Sequence, residues 1–212
     1  MRLNKKYTKE GKIAMPKRVK NIFVVFLIVI VIFVAIKVFG IQDLIMKKIY
    51  PQTYSEYVNK YAIEYEVDPL LVYAVIKAES NFDKNAVSNR NAKGVMQIID
   101  STAEEIAGNI MSDTYFESNM LFDEETNIRI GTKYLSDLLK KYGDYHIAVA
   151  AYNAGIGTVD KWISDGVIKD DGSDIEKIPY KETNNYVRKI SRDYKIYEDL
   201  GTLVCGGQKE AL

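Results

Sequence analysis

The stretch Asp68–Gln97, DPLLVYAVIKAESNFDKNAVSNRNAKGVMQ, decides how the rest of the chain is read. It opens on Asp68, whose side chain suits a helix N-cap, and on Pro69, whose missing N–H costs nothing in a first turn. From Leu70 to Ala78 every residue except Lys77 is apolar. A helix that is apolar all round is a buried one, so the stretch predicts a central helix and not a surface helix. The last turn places Glu79 and Ser80, and Asn81 begins a loop. A carboxylate is disfavoured there twice, by desolvation and by the negative end of the helix dipole. Both raise its pKa, and a carboxyl group still protonated near neutral pH is what a general acid requires. The competing reading is that Glu79 reaches solvent where its helix ends, and that Ser80 bonds back onto the same helix end.

Outward from this stretch the chain reads as helix after helix. Asn81 to Gln97 is rich in Asn, Ser and Lys and predicts a loop, with at most a short hairpin over residues 84–98. Gly94 in that loop allows the backbone to approach other backbone or a ligand closely. Ser101 and Glu104 have the spacing of a capping box. Asp100 is a candidate second acid, but at a helix start it is expected to serve the cap or the dipole. Residues 113–125 are acidic and irregular. Ile128, Gly131, Tyr134, Leu135, Leu138, Leu139 and Tyr142 then trace one helical stripe, closed by Gly143.

Asp144 suits the cap of a further helix, Tyr145–Asn153, in which Ile147 to Ala151 is wholly apolar. His146 is the only histidine; it is expected to be exposed in the first turn, and one histidine builds no metal site. Gly155 and Gly157 precede a short helix around Trp162, and Ser164 to Glu176 is a polar loop. A last helix is expected from about Glu182 to Leu200, with residues 201–212 as a frayed tail. Upstream, Tyr54, Tyr57, Val58, Tyr61, Ala62 and Tyr65 fall on one helical face, a pattern of core packing. The single cysteine, Cys205, excludes an intrachain disulfide, and its place in the tail reads as an incidental thiol.

Charge divides the chain in two. Of 29 basic and 29 acidic residues, nine basic and one acidic fall in residues 1–41, leaving 20 against 28 and a net of −8 in the remainder. An acidic domain argues against nucleic acid as a partner. The first 21 residues form a basic tail, and an apolar run follows from Ile22 to Ile41, interrupted by Lys37 near its outer end. Twenty helical residues span about 30 Å, one hydrocarbon core. The run lacks a small-x-small cleavage pattern and is long for a signal peptide, so a retained, single-pass anchor at residues 22–41 is expected. The basic flank places the N-terminus in the cytoplasm and the C-terminal domain outside. Residues 42–53 read as a connector and 54–200 as the folded domain.

Three blocks carry a resemblance. Glu79-Ser80, Ser88 and Gly94-Val95-Met96-Gln97 come first. Ala151-Tyr152-Asn153-Ala154-Gly155 is the second. Ile178-Pro179-Tyr180 with Glu182-Thr183 and Tyr186-Val187 is the third. In this order the blocks resemble the lytic transglycosylases of the soluble, lysozyme-like type, over roughly Tyr54 to Asp199. The one departure within the blocks is Val95, where the family usually has leucine, a mild change of volume; the connection Asn89–Lys93 is also more polar than usual.

The resemblance implies a predominantly α, lysozyme-like domain with a cleft, acting on the glycan strands of peptidoglycan without a cofactor. Glu79 would be general acid and then base, closing a 1,6-anhydro ring on N-acetylmuramic acid. Ser88 and Gln97 would contact substrate acetyl or hydroxyl groups, Gly94 would lie at the substrate, and Met96 would pack against a sugar. Tyr152 and Asn153 would line the subsite beside Glu79, and Tyr186 would orient its carboxyl. Two other readings remain: a goose-type lysozyme hydrolysing the same bond, and a non-catalytic wall-binding module. An anchored enzyme of this kind fits wall remodelling, or opening of the wall for a secretion or conjugation machine.

Overall fold

The computed structural model describes residues 17–38, 40–110 and 116–205. Most of the basic tail, part of the acidic segment before Glu117 and the last residues of the C-terminal tail lie outside these. The chain forms two compact units, residues 1–49 and 50–212.

The first unit holds two helices, α1 (Lys17–Val38) and α2 (Ile41–Ile49). Within α1, Arg18–Lys37 is long and apolar enough to cross a membrane, and its apolar side chains from Ile22 to Val34 are exposed. The connector expected after residue 41 is instead largely helical. Its sequence has no Gly or Pro between Gly40, whose φ is +62°, and Pro51, so nothing breaks a helix there.

The second unit is built from α3 (Ser55–Tyr65), α4 (Pro69–Glu79), α5 (Asp100–Ile110), α6 (Glu124–Tyr142), α7 (Tyr145–Ala154), α8 (Ile156–Ser164) and α9 (Lys181–Cys205). Short 3₁₀ turns cover Ser118–Phe122 and Ile175–Lys177. Local chemistry sets the ends. Asp68 caps α4 through Leu70 N–H, Asp123 caps α6 through Thr126 N–H, and Asp144 caps α7 through His146 and Ile147 N–H. Gly143 ends α6 in the left-handed conformation that glycine adopts without strain.

Five of these helices close a circuit: α3 packs on α4, α4 on α9, α9 on α7, α7 on α6, and α6 back on α3. Leu71 to Ile76 of α4 are buried, as the apolar run requires. α3 buries Val58, Tyr61, Ala62 and Tyr65, so the tyrosine stripe serves the core. Tyr197 of α9 is fully buried, its ring against Tyr50 and Tyr73 and its hydroxyl donating to the Pro51 carbonyl at 3.0 Å. Truncating a fully buried aliphatic such as Ile76 in such a core costs about 2–5 kcal/mol.

Several boundaries differ from expectation. No strand forms among the described residues; the hairpin is reduced to single bridges, Val87 with Lys93 and Lys93 with Ile98. α5 starts at Asp100, which puts Ser101 inside the first turn and not at the cap. α9 continues to Cys205, so the first part of the expected frayed tail is helical. His146 is half-buried, its ring tilted against Tyr145 and beside the Asp144 carboxylate at 3.2 Å.

Candidate active site

Glu79 ends α4 at the edge of the core. The chain turns at once: Ser80 follows the helix, and Asn81 and Phe82 both take positive φ, +51° and +70°. Tyr54 donates its hydroxyl to the Phe82 carbonyl at 3.2 Å and steadies that turn. Ser80 donates chiefly across to the Val95 carbonyl, at 2.8 Å, with a longer contact of 3.4 Å to its own helix at Ile76. The loop therefore folds back against the end of α4.

The Glu79 carboxyl keeps part of its surface open to a cleft of about 650 Å³. Burial pushes its pKa up to about 7, against the opposing pull of a hydrogen bond from Tyr186 and the positive charge of Lys189. Tyr186 donates to Glu79 Oε1 at 2.5 Å from α9. Tyr152, on α7, donates to the Met96 carbonyl at 2.8 Å, so its ring is fixed in the wall of the cleft. Burial, and after it the proximity of Glu79, holds the Tyr152 and Tyr186 phenols protonated. Tyr134 of α6 packs on Tyr152 at 5.2 Å and lines the same cleft. Helices α4, α9, α7 and α6 thus bring Glu79, Tyr186, Tyr152 and Tyr134 toward one place, in the order in which they adjoin.

Ser88, Gln97, Tyr152 and Asn153 line the cleft with Glu79. Ser88 Oγ accepts from Arg90 and Ala92 N–H, which closes the loop tip. The Gln97 amide donates to the Ala86 and Gly94 carbonyls, and Asn153 Oδ1 accepts from Thr183 at 2.8 Å. A second depression, of about 350 Å³, shares Arg90, Asn153, Ala154 and Glu182 with the first, so the two form one extended groove. Arg90 and Glu182 face each other across its rim at 3.9 Å, both largely exposed.

Two expected substrate contacts are corrected. The Met96 side chain is fully buried; its sulfur and Cβ fill the space left by Gly131, where a Cβ would stand 2.5 and 2.8 Å away. Met96 supports the cleft wall from behind and presents no side-chain surface to a sugar. Gly94 is buried as well, at φ +75°, and a Cβ there would stand 2.2 Å from both Asn127 Nδ2 and the Leu121 carbonyl. Its close approach is to the core and not to a ligand.

Asn127, buried near the start of α6, holds the loop from the inside: Oδ1 accepts from Met96 N–H, and Nδ2 donates to the Lys93 and Leu121 carbonyls. Lys93, itself nearly buried, pairs with Asp100 at 2.7 Å, and Ser118 donates to the same carboxylate. Lys93 holds the Asp100 carboxyl below the usual range, which makes Asp100 a strut of the loop. The sequence reading missed Asn127, Lys93 and Lys189 as supports. Only Lys189 had a local signal, its i,i+3 spacing from Tyr186.

Comparison with known proteins accounts for this arrangement. The Transglycosylase SLT domain family matches residues 56–173, more than half of the chain, and the chain belongs to that family. A soluble lytic murein transglycosylase of Escherichia coli K12 is 32% identical over 143 residues, 66% of this chain and 22% of the relative. A membrane-bound lytic murein transglycosylase C of Yersinia pestis is 31% identical over 165 residues, covering 68% of this chain and 46% of the relative. Among solved structures, an inactive Glu-to-Gln mutant of the lytic transglycosylase Slt from Pseudomonas aeruginosa superposes with a TM-score of 0.64 at 29% identity, over 71% of this chain and 24% of that one. The chain thus spans about a fifth of the soluble relative's length and under half of the membrane-bound one's. The helical domain has the lysozyme-like architecture of these enzymes.

Proposed function

We propose that the chain is a peptidoglycan lytic transglycosylase that cleaves the β-1,4 bond between N-acetylmuramic acid and N-acetylglucosamine and leaves a 1,6-anhydro end. The observation that carries this reading is a single carboxyl poised near neutrality. Glu79 and Glu182 are the only acids lining the cleft among the described residues, and Glu182 sits on the exposed rim opposite Arg90. Protonated Glu79 gives its proton to the glycosidic oxygen as the C1–O bond breaks. The C6 hydroxyl of the same muramyl residue then attacks C1, and its proton returns to Glu79. No water is consumed. The substrate's N-acetyl group stabilises the cation-like centre, one of the exceptions to the two-carboxylate rule. The attacking hydroxyl is already tethered to the reacting ring, so little entropy is lost in bringing it up.

In this reading Tyr186 orients the carboxyl, and Tyr152 and Asn153 line the subsite. Ser88 keeps its hydroxyl proton for a substrate oxygen, since its own oxygen already accepts from the loop. The Slt mutant's description as inactive fits a reaction that depends on one carboxyl. The helix α1 anchors the enzyme in the cell membrane with the catalytic domain on the wall side, as the flanking basic residues favour. Peptidoglycan is the partner of the groove, and the anchor fits a role in wall remodelling or in a secretion or conjugation machine.

Product analysis tests the reading. Purified peptidoglycan should yield muropeptides ending in 1,6-anhydro-N-acetylmuramic acid, about 18 Da lighter than hydrolytic products and resistant to borohydride reduction. Reducible muramyl ends as the main product would establish hydrolysis instead.

A further inference from the structure

Tyr186 and Lys189 stand three residues apart on α9 and so share one face of it. Tyr186 donates to the Glu79 carboxyl at 2.5 Å, and the Lys189 ammonium donates to the Ala78 backbone carbonyl at 2.9 Å. That carbonyl belongs to the peptide unit joining Ala78 to Glu79. It lies in the last turn of α4, where carbonyls lack helical partners and a cation is favoured. One face of α9 therefore grips Glu79 at both ends, by its carboxyl and by its backbone.

We propose that Lys189 is a positioning residue for proton transfer at Glu79, fixing the end of α4 and supplying the positive field in which the carboxyl loses and regains its proton. This rests on the acid–base reading of Glu79 given above. The groups that face the Glu79 carboxyl are few. Tyr152 approaches from α7, and Tyr186 and Lys189 from α9. Lys77, two residues earlier on α4, lies over the Tyr50 ring at 4.5 Å, within the fields of Asp193, Lys189 and Arg192, and is not among the charges that act on Glu79. Lys189 is thus the cation whose charge opposes the effect of burial on Glu79. Deleting that charge leaves burial less opposed, so the carboxyl holds its proton to higher pH.

The test uses the full chain in detergent with Lys189→Met, Lys189→Gln and Lys189→Arg. Gln can keep a hydrogen bond to Ala78 without the charge, and Arg keeps both. The pH dependence of kcat/KM on peptidoglycan is read together with the Glu79 carboxyl titration by carbon-13 NMR without substrate, assigned by its loss in Glu79→Gln. Met and Gln should move the alkaline limb and the carboxyl titration to higher pH, and Arg should leave both in place. A purely structural role would lower the rate and leave the limb where it was; an unmoved titration in both Met and Gln overturns the proposal, and should Met fail to fold, Gln alone decides. The NMR arm is independent of the product formed, so failure of the transglycosylase reading would show separately, as absent anhydro ends from the wild type.

Discussion

Burial, and not a second acid, sets the proton affinity of Glu79, and this ties activity to stability in opposite senses. The folded carboxyl titrates at about 7 and an unfolded one near 4.5. Between these values the folded state binds more protons than the unfolded, so stability falls as pH rises. The contribution is fully present below 4.5 and lost above about 7, a difference on the order of 3 kcal/mol. Glu79→Gln has no charge to bury, so it should be more stable than wild type at pH 8 and close to it at pH 4, as read by urea unfolding. A variant less stable than wild type at pH 8 would refute burial as the cause. The same substitution should cost about 10²–10⁴-fold in activity, because an amide cannot deliver the proton. Tyr186→Phe should lose less, since it removes a positioning hydrogen bond and not the donor. It should also move the alkaline limb of kcat/KM upward, the lost bond having lowered the Glu79 pKa.

At the scale of elements, the helices and the loop differ in what holds them. Asp68, Asp123 and Asp144 cap helices two or three residues away, and the run Leu71–Ile76 buries itself by composition. Such features are local in sequence, which is why the helices could be read there. The loop from Asn81 to Ile99 is held by Asn127, whose partners at Lys93 and Met96 lie 34 and 31 residues away. No spacing rule reaches that far, and so Gly94 and Met96 could be picked out by motif but not placed on the inner side of the wall. Asn127→Ala should leave Met96 N–H and the Leu121 carbonyl without their partner in the interior, while the Lys93 carbonyl keeps its bond from Ile98 N–H, costing about 2 kcal/mol or more, since each such loss costs roughly 1–3. Asn89→Ala, at the exposed rim of the same loop, should change stability by no more than about 0.5 kcal/mol. Equal effects of the two on the urea midpoint would refute this account of the loop.

For the whole molecule, the division at residues 49 and 50 predicts that a chain beginning at Tyr50 folds alone and retains cleavage of soluble glycan fragments. Tyr50 must stay, because its ring packs on Tyr197 and its hydroxyl donates to the buried Asp193 carboxylate. Helical circular dichroism and the urea midpoint check this, and a collapsed transition in the shortened chain would refute it. Orientation is checked on wall-stripped cells, where external protease should degrade the catalytic domain. The fold class and the order of the three motif blocks were legible because apolar runs and motif spacings are properties of the string. The closing of the circuit by α4 and α9 was not, since it joins helices a hundred residues apart.

The loop is pinned on its inner side by Asn127, Lys93 and Asp100, while Ser88, Asn89 and Arg90 on its outer side reach the groove. Replacements at Asn89 and Arg90 change the groove surface and leave the inner clasp intact. Residues that touch the groove and residues that hold the loop are thus separate side chains, apart from Ser88, which does both.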